Sequence, residues 1–288
     1  MSPPPGTASA DGLPVLGSAE VSVMTAVDTL VSRRARHMGA EEIGLPAMLA
    51  ARDLARIDYF ANFPQLVNVV TTLTPEAHSA VTGDVIPSAH LAPADLVLPS
   101  AACYGAYFAH SGRTLDAPVL LTTRALCARA ESHYSGLRRL RTFHMREIVH
   151  LGTRESAERF AGESREWVAR VAGRLGTEAR LLPASDPFFE AEGSRAVMQR
   201  MSRLKEELVY DGDLAVASVN QHRNFFGERC GIRLPDGEFA YSACFGAGLE
   251  RWTHMLLDSF GGDAERAVRE LGRIDRIDRT DGIDGEEH

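Results

Sequence analysis

The sequence predicts an α+β fold in which an antiparallel β-sheet is flanked by helices. Three observations lead there. Runs such as ELVYDGDLAVASV at 207–219 and EFAYSACF at 238–245 alternate apolar and polar residues, the period of strands that bury one face. VSVMTAVDTLVSRRARHM at 21–38, LPAMLAARDLARIDYFANF at 45–63 and ESAERFAGESREWVARVAGRL at 155–175 instead carry helical periodicity. Glycines between the last strand and the run WTHMLLDSF mark a strand-to-helix junction.

Taken in chain order, the opening MSPPPGTASADGLP is rich in proline and glycine, and residues 1–17 are expected to form a flexible tail. It lacks the basic start and apolar run of a signal peptide, and no run approaches the roughly twenty apolar residues that cross a bilayer, so a cytoplasmic protein without a membrane segment is expected. Residues 18–60 supply helices suited to a dimer interface. Cys127–Glu131 and Thr142–Val149 read as two strands around the basic loop SHYSGLRRLR. In the helix at 155–175, Phe160, Trp167, Val168, Val171 and Leu175 fall near one face, which either covers the sheet or docks a partner. The repeat RIDRIDRTDGIDGEEH has little apolar mass, so 271–288 is expected to be disordered and 18–270 to be the single folded domain.

Two segments carry chemistry. In Cys244-Phe245-Gly246-Ala247-Gly248-Leu249-Glu250-Arg251, the glycines admit a bulky ligand to the backbone, and Arg251 at the helix start can face a polyphosphate with fixed donors. In the second, residues two apart on a strand share a face, so Arg129 aligns with Glu131, and Phe143 with Met145 and Glu147. An arginine, a carboxylate and an aromatic ring would then converge on one nucleotide, unless the segment is simply an amphipathic hairpin with solvated arginines. Lys205 is the only lysine among 31 basic residues, which makes it a candidate for a substrate or phosphate site, as is Glu207 on the same strand face. The four cysteines include no CxxC, which argues against a disulfide scaffold and a zinc finger.

Taken in chain order, the Arg129 segment and then the Cys244–Arg251 segment resemble motifs 2 and 3 of class II aminoacyl-tRNA synthetase catalytic domains. With Ala101-Ala102-Cys103-Tyr104, FHMREIV at 143–149, Ala184-Ser185-Asp186-Pro187-Phe188-Phe189, Leu204-Lys205, Asn220 with His222, and Phe226-Gly227-Glu228, the chain resembles more narrowly the amino acid:[carrier protein] ligases, shortened relatives of the methanogen-type seryl-tRNA synthetases. The matching blocks run from about Tyr59 to Leu257.

The resemblance implies a class II synthetase-like catalytic domain that works as a homodimer. It implies that Arg129 contacts the α-phosphate of ATP, that Glu131 holds the adenine end, and that Phe143 stacks on the adenine. Arg251, with Gly248 beside it, closes the other face and reaches the γ-phosphate, Arg139 adds a phosphate contact, and Mg2+ completes the neutralisation. Ala128 stands where the family usually has phenylalanine. Cys103, Glu147 and Cys244 would bind Zn2+ and leave one position for the amino group of the substrate, while Asn220 and His222 lie on the substrate side. The implied reaction is ATP-dependent activation of a small amino acid, of glycine or alanine type, followed by transfer to the phosphopantetheine thiol of an acyl or peptidyl carrier protein. A net charge of −8 leaves no evident basic arm for tRNA, whereas the arginines at 138, 139, 141, 154, 159 and 165 offer a local basic surface for an acidic carrier. A synthetase paralogue with another acceptor, and a non-catalytic regulatory or scaffold paralogue, are the alternatives.

Overall fold

The computed structural model describes residues 11–79, 81, 83–189 and 204–281. Helix α1 (Ser18–His37) is followed by two short strands, β1 (Glu41–Glu42) and β2 (Leu49–Ala50), then by α2 (Ala51–Arg56), α3 (Tyr59–Asn62), β3 (Asn68–Val70), β4 (Leu96–Leu98) and α4 (Cys103–Ala109). The long hairpin β5 (Val119–Ala128) and β6 (Thr142–Gly152) leads into α5 (Arg154–Leu175), β7 (Arg180–Pro183), β8 (Lys205–Tyr210), β9 (Leu214–Arg223) and α6 (Phe225–Cys230). Strand β10 (Tyr241–Gly248), α7 (Leu249–Ser259) and α8 (Ala264–Asp281) close the fold.

Seven strands form one sheet in the order β1-β5-β6-β10-β9-β8-β7, antiparallel except for the β1–β5 pair. A second, three-stranded sheet, β2-β4-β3, was not evident from the sequence, because strands of two or three residues are too short to show a period.

Strand β10 lies inside the large sheet and is covered on both faces, which is why SACFGAG reads as nearly continuous small and apolar residues. Ala243, Phe245 and Ala247 face a core closed by α1, α5, α7 and α8, where Trp167 meets Phe245 edge to face at 5.4 Å. Burying an aromatic of that size contributes about 2–3 kcal/mol. Helix α5 thus covers the sheet with the apolar face read from the sequence. Thr153 caps it by accepting from Ser156 N, and Gly176 ends it in the left-handed region at φ +66°. Helix α1 buries Val23, Val27, Leu30 and Val31 in the same core of its own chain.

Both chain ends are more structured than expected. Gly12 O accepts from Arg141 N at 2.9 Å, and Gly12 sits at φ +70° where a Cβ would lie 2.5 Å from the Tyr134 ring. Glycine is therefore required there, and with Leu16 packed on the core the segment 11–17 is docked on the domain. At the other end α8 runs to Asp281 with Leu271 and Ile274 buried, so the folded domain continues past 270. The remaining tail residues, 1–10 and 282–288, lie outside the described ones.

Candidate active site

The face of the large sheet opposite α5 carries a cleft that opens into a cavity. The cleft, of about 80 Å³, is lined by Arg129, Glu131, Phe143, Glu207, Gly248 and Arg251 among others. Strand β5 ends at Ala128, so Arg129 and Glu131 sit beyond it and not on a strand face as the spacing suggested. They stay aligned because the chain turns back at once, with Arg129 N donating to Arg141 O and Ser135 N to Arg139 O. Arg129 Nε donates to Ser100 O at 3.0 Å, and its guanidinium lies 5.1 Å from the centroid of the Phe143 ring. Glu131 pairs with Arg139 at 3.1 Å.

Arg251 lies in the first turn of α7. It donates to Arg138 O at 2.9 Å and to Ala215 O at 3.0 Å, which fixes the plane of its guanidinium. Burial and the neighbouring Arg129 charge pull its pKa down to about 10, with Arg139 adding to the effect and the carboxylates of Glu207 and Glu131 offsetting part of it. The cleft thus gathers the Arg129 and Arg251 guanidinium groups, with Arg139 held by Glu131 at its edge, an arrangement that suits a multiply charged anion. Arg138 bonds Asp211 at 3.1 Å and pairs with Asp213, so the loop between β5 and β6 is tied to the β8–β9 turn. Glu250, buried at the same helix start, accepts from His144 N at 2.9 Å and contacts His144 Nδ1 at 2.8 Å.

The adjoining cavity, of about 520 Å³, shares Arg129, Met145, Lys205 and Ser218 with the cleft. On its wall the donor atoms of Cys103, Glu147 and Cys244 all lie within 4.8 Å of one another, although α4, β6 and β10 supply them separately. The register sets Glu147 opposite Gly246, where a Cβ would come within 3.0 Å of Met145 Cε and 3.4 Å of Glu147 Cγ. Glycine makes room for both side chains. Glu147 Oε1 accepts from Ala102 N at 3.2 Å, while Oε2 is buried with no hydrogen-bond partner among the described residues.

Burial pushes the Glu147 carboxyl well above its usual range. A hydrogen bond with Cys244, together with burial, does the same to the Cys103 thiol, while that shared bond lowers Cys244. The hydrogen bond to Cys244 and burial favour a proton on Cys103, burial favours one on Glu147, and a cation placed among the three groups would replace those protons. Two sulfurs and an oxygen at this spacing suit a borderline divalent ion, and the orphaned Oε2 is the atom that such an ion would satisfy. Asn220 Nδ2 donates to Cys244 Sγ at 3.4 Å, and His222 Nε2 lies 3.9 Å from it. His222 Nδ1 is 3.3 Å from both Tyr107 Oη and Ser242 Oγ.

Two amino acid–[acyl-carrier-protein] ligases of Bradyrhizobium diazoefficiens are each 33% identical to this chain, over 274 and 271 residues, or 86% of it and 82% and 79% of them. The chain belongs to that ligase family. A type-2 serine–tRNA ligase of Methanopyrus kandleri is 28% identical over 145 residues, 45% of this ligase and 27% of the relative. The M. kandleri SerRS solved in complex with A. aeolicus tRNASec superposes on the ligase with a TM-score of 0.72 at 20% identity, covering 85% of this chain and 53% of that one. The ligase thus spans about half of that synthetase and has the class II synthetase fold. No family model matches the chain.

One candidate residue of the ligase stands between the two spaces. Lys205 is buried between the cleft and the cavity, but its ammonium pairs with Asp186 at 2.7 Å and Glu207 at 3.0 Å. Burial alone would lower its pKa, yet the two carboxylates raise it. Its charge is met by two carboxylates, so it clamps the wall between the cleft and the cavity. It holds the Asp186-Pro187-Phe188 segment, whose Phe188 stacks on Phe63 at 5.0 Å as a wall of the cavity. Asp186, Ser100 and Phe63 were missed as site residues; the only signal was Asp186 standing in the quoted ASDPFF string. The arginines expected to form a carrier surface are largely engaged, Arg138 and Arg139 in the cleft loop, Arg154 with Glu158, and Arg165 with Glu206.

Proposed function

We propose that this ligase uses ATP to convert an amino acid into its aminoacyl-adenylate and then passes the aminoacyl group to the phosphopantetheine thiol of an acyl carrier protein. The supporting observation is the meeting of an arginine-lined cleft and a carboxylate–thiol cavity at the Arg129 side chain. A carboxylate oxygen of the substrate attacks the α-phosphorus, an O–P bond forms, and pyrophosphate leaves with the electrons of the bond that breaks. Arg129 neutralises charge that grows on the α-phosphate, where a bidentate guanidinium exceeds a point charge. Arg251 and Arg139 hold the outer phosphates together with Mg2+, Phe143 and Arg251 sandwich the adenine, Glu131 takes its polar edge, and Gly248 leaves the floor bare.

Cys103, Glu147 and Cys244 would hold Zn2+, which supplies a Lewis-acid position for the neutral α-amino group. With that end fixed, the carboxylate points toward Arg129. Asn220 and His222 flank the Cys244 sulfur on the substrate side, and a small amino acid of glycine or alanine type is the substrate proposed. In the second step the thiol sulfur bonds to the carbonyl carbon, the carbonyl–oxygen bond to AMP breaks, AMP leaves with that electron pair, and the thiol proton passes to solvent. A homodimer is the assembly proposed, supported by apolar residues such as Val69 and Leu96 exposed on the small sheet. Four buried free cysteines support a reducing cytoplasm, and no helix among the described residues is long and apolar enough to cross a membrane. The net charge of −8 favours a carrier domain over tRNA as acceptor.

Amino-acid-dependent pyrophosphate–ATP exchange on zinc-loaded protein, followed by thioester formation on holo-carrier protein, tests this reading. Exchange with one small amino acid is expected. Absence of exchange with every amino acid tried overturns the proposal, and aminoacylation of tRNA in place of the carrier would replace the acceptor.

A further inference from the structure

Strand register sets a row of polar side chains around the Cys244 sulfur. Cys244 on β10 stands opposite Asn220 on β9. Side chains two apart on a strand share a face, so Ser242 lines up with Cys244, and His222 with Asn220. The register slips between Ser242 and Ala243 with His222 as the extra residue of β9, and a bulge of this kind re-aims the side chain it carries. The His222 ring meets Phe226 edge to face, with centroids 4.9 Å apart at 77°, and Phe226 in turn stacks on Tyr107 at 3.9 Å. Residues from α4, β9, α6 and β10 thus hold one imidazole in place.

The hydrogen bonds along this row run in one direction. Tyr107 Oη and Ser242 Oγ each lie 3.3 Å from His222 Nδ1, and Ser242 also hydrogen-bonds Tyr107. On the other side of the ring, His222 Nε2 lies 3.9 Å from Cys244 Sγ, and Asn220 Nδ2 donates to the same sulfur at 3.4 Å. A neutral imidazole has one N–H and one bare nitrogen, and its surroundings select which is which. Tyr107 is fully buried, and burial pushes its hydroxyl well above the ordinary phenol value, so it keeps a proton to donate. A hydroxyl that donates to Nδ1 leaves the ring N–H on Nε2, facing the sulfur. With a cation bound, the Cys244 sulfur is a thiolate and only accepts, so the same tautomer is required from that end as well.

We infer that His222 is a positioning residue of the metal centre, its Nε2–H donating to Cys244 Sγ in an orientation that Tyr107 and Ser242 set through Nδ1. The inference deepens the zinc reading proposed above and rests on it. An N–H bond to a ligating sulfur fixes the direction of its lone pairs and draws charge away from it, which strengthens the Lewis-acid position offered to the substrate amine. Asn220 supplies a second such bond, so β9 meets the charge of the Cys244 sulfur with two donors. Tyr107 never touches the sulfur and acts only through the imidazole.

Zinc affinity, read by competition with a chromophoric chelator, and the sulfur-to-cobalt charge-transfer band of the Co2+-loaded protein test the inference. His222→Phe keeps a ring against Phe226 but has no N–H, and should lower zinc affinity about 10–100-fold, the usual cost of removing such a partner. It should also move the charge-transfer band to longer wavelength, because the sulfur becomes more electron-rich. His222→Gln retains an N–H donor and should recover part of both. Tyr107→Phe keeps the stack on Phe226 and should weaken zinc binding about fivefold, the scale of one neutral hydrogen bond. In the His222→Phe background the same change should cost less than about twofold, since the ring it acts through is gone. Unchanged affinity and band in His222→Phe, or an equal Tyr107→Phe loss in both backgrounds, overturns the inference and leaves the zinc reading standing. A wild-type protein that binds no zinc overturns both.

Discussion

Replacing Lys205 with methionine should destabilise the domain by about 3 kcal/mol. Methionine keeps most of the buried volume, so little cavity forms and the loss is mainly electrostatic. Two contacts disappear, to Asp186 at 2.7 Å and to Glu207 at 3.0 Å. A hydrogen bond to a charged group contributes about 1.5–3 kcal/mol. The upper sum is not reached, because the Asp186 and Glu207 side chains remain 35% and 23% exposed and water recovers part of their solvation. About 3 kcal/mol is nonetheless a large share of the roughly 5–15 kcal/mol that holds a domain together. The lysine pKa is raised in the fold, so its stabilisation is fully present below the unfolded value near 10.4 and fades only above it. Equilibrium urea unfolding at pH 7.5 reads the loss directly. In exchange assays the amino-acid KM should rise more than kcat falls, since the Asp186–Phe188 wall loosens while the arginines stay in place. A loss below about 1 kcal/mol with an unchanged KM would show that the triad neither braces the fold nor shapes the cavity.

Arg251→Ala should reduce ATP-dependent exchange by roughly two to three orders of magnitude, the scale of removing one preorganised transition-state donor, while bound zinc measured by elemental analysis stays constant; equal loss of metal would point to misfolding. Cys244→Ser should lower zinc stoichiometry after dialysis and raise the amino-acid KM, with ATP affinity by calorimetry changed less than threefold. His150 is buried without a partner at Nδ1, and burial with nearby Arg159 lowers its pKa to about 4. Below the unfolded value near 6.5 the unfolded chain binds a proton that the folded one refuses, so stability should fall from pH 6.5 toward 4 by up to about 1.4 kcal/mol per pH unit. His150→Phe should flatten that limb of the urea-unfolding profile, and an unchanged slope would remove His150 from the acid response.

The parts of this protein that were legible in the sequence are those whose cause is local. Phe245 and Ala247 alternate with Gly246 and Gly248 because β10 has two faces, and α5 shows its stripe because Trp167, Val171 and Leu175 return to one side every three to four residues. The sulfurs of Cys103 and Cys244 meet only because a helix start and a central strand converge, and no periodicity records this; only family resemblance pointed to the cluster. Lys205 was noticed for its rarity, but its partner Asp186 precedes it on another segment and reaches it by the packing of a loop on a strand. Residues after 270 read as a polar triplet, yet Leu271 and Ile274 are three apart and form the buried edge of α8. The register of β9 against β10 slips with His222 as the extra residue, and that bulge depends on pairing, which one strand's sequence does not encode.

The alternation along β10 has a consequence for how such a protein diversifies. Gly248 and Gly246 line the arginine-lined cleft, Cys244 the adjoining cavity, and Ser242 with Tyr241 a further cavity beside Arg154 and Arg223, so a single strand passes all three in sequence. Its ends are about 20 Å apart at the usual rise per residue. A substitution at the Tyr241 end can change its own surroundings without moving an atom near Gly248. Inheritance can therefore edit one end of the strand while the other is held constant, much as one end of a ruler can be recut without disturbing the scale at the other.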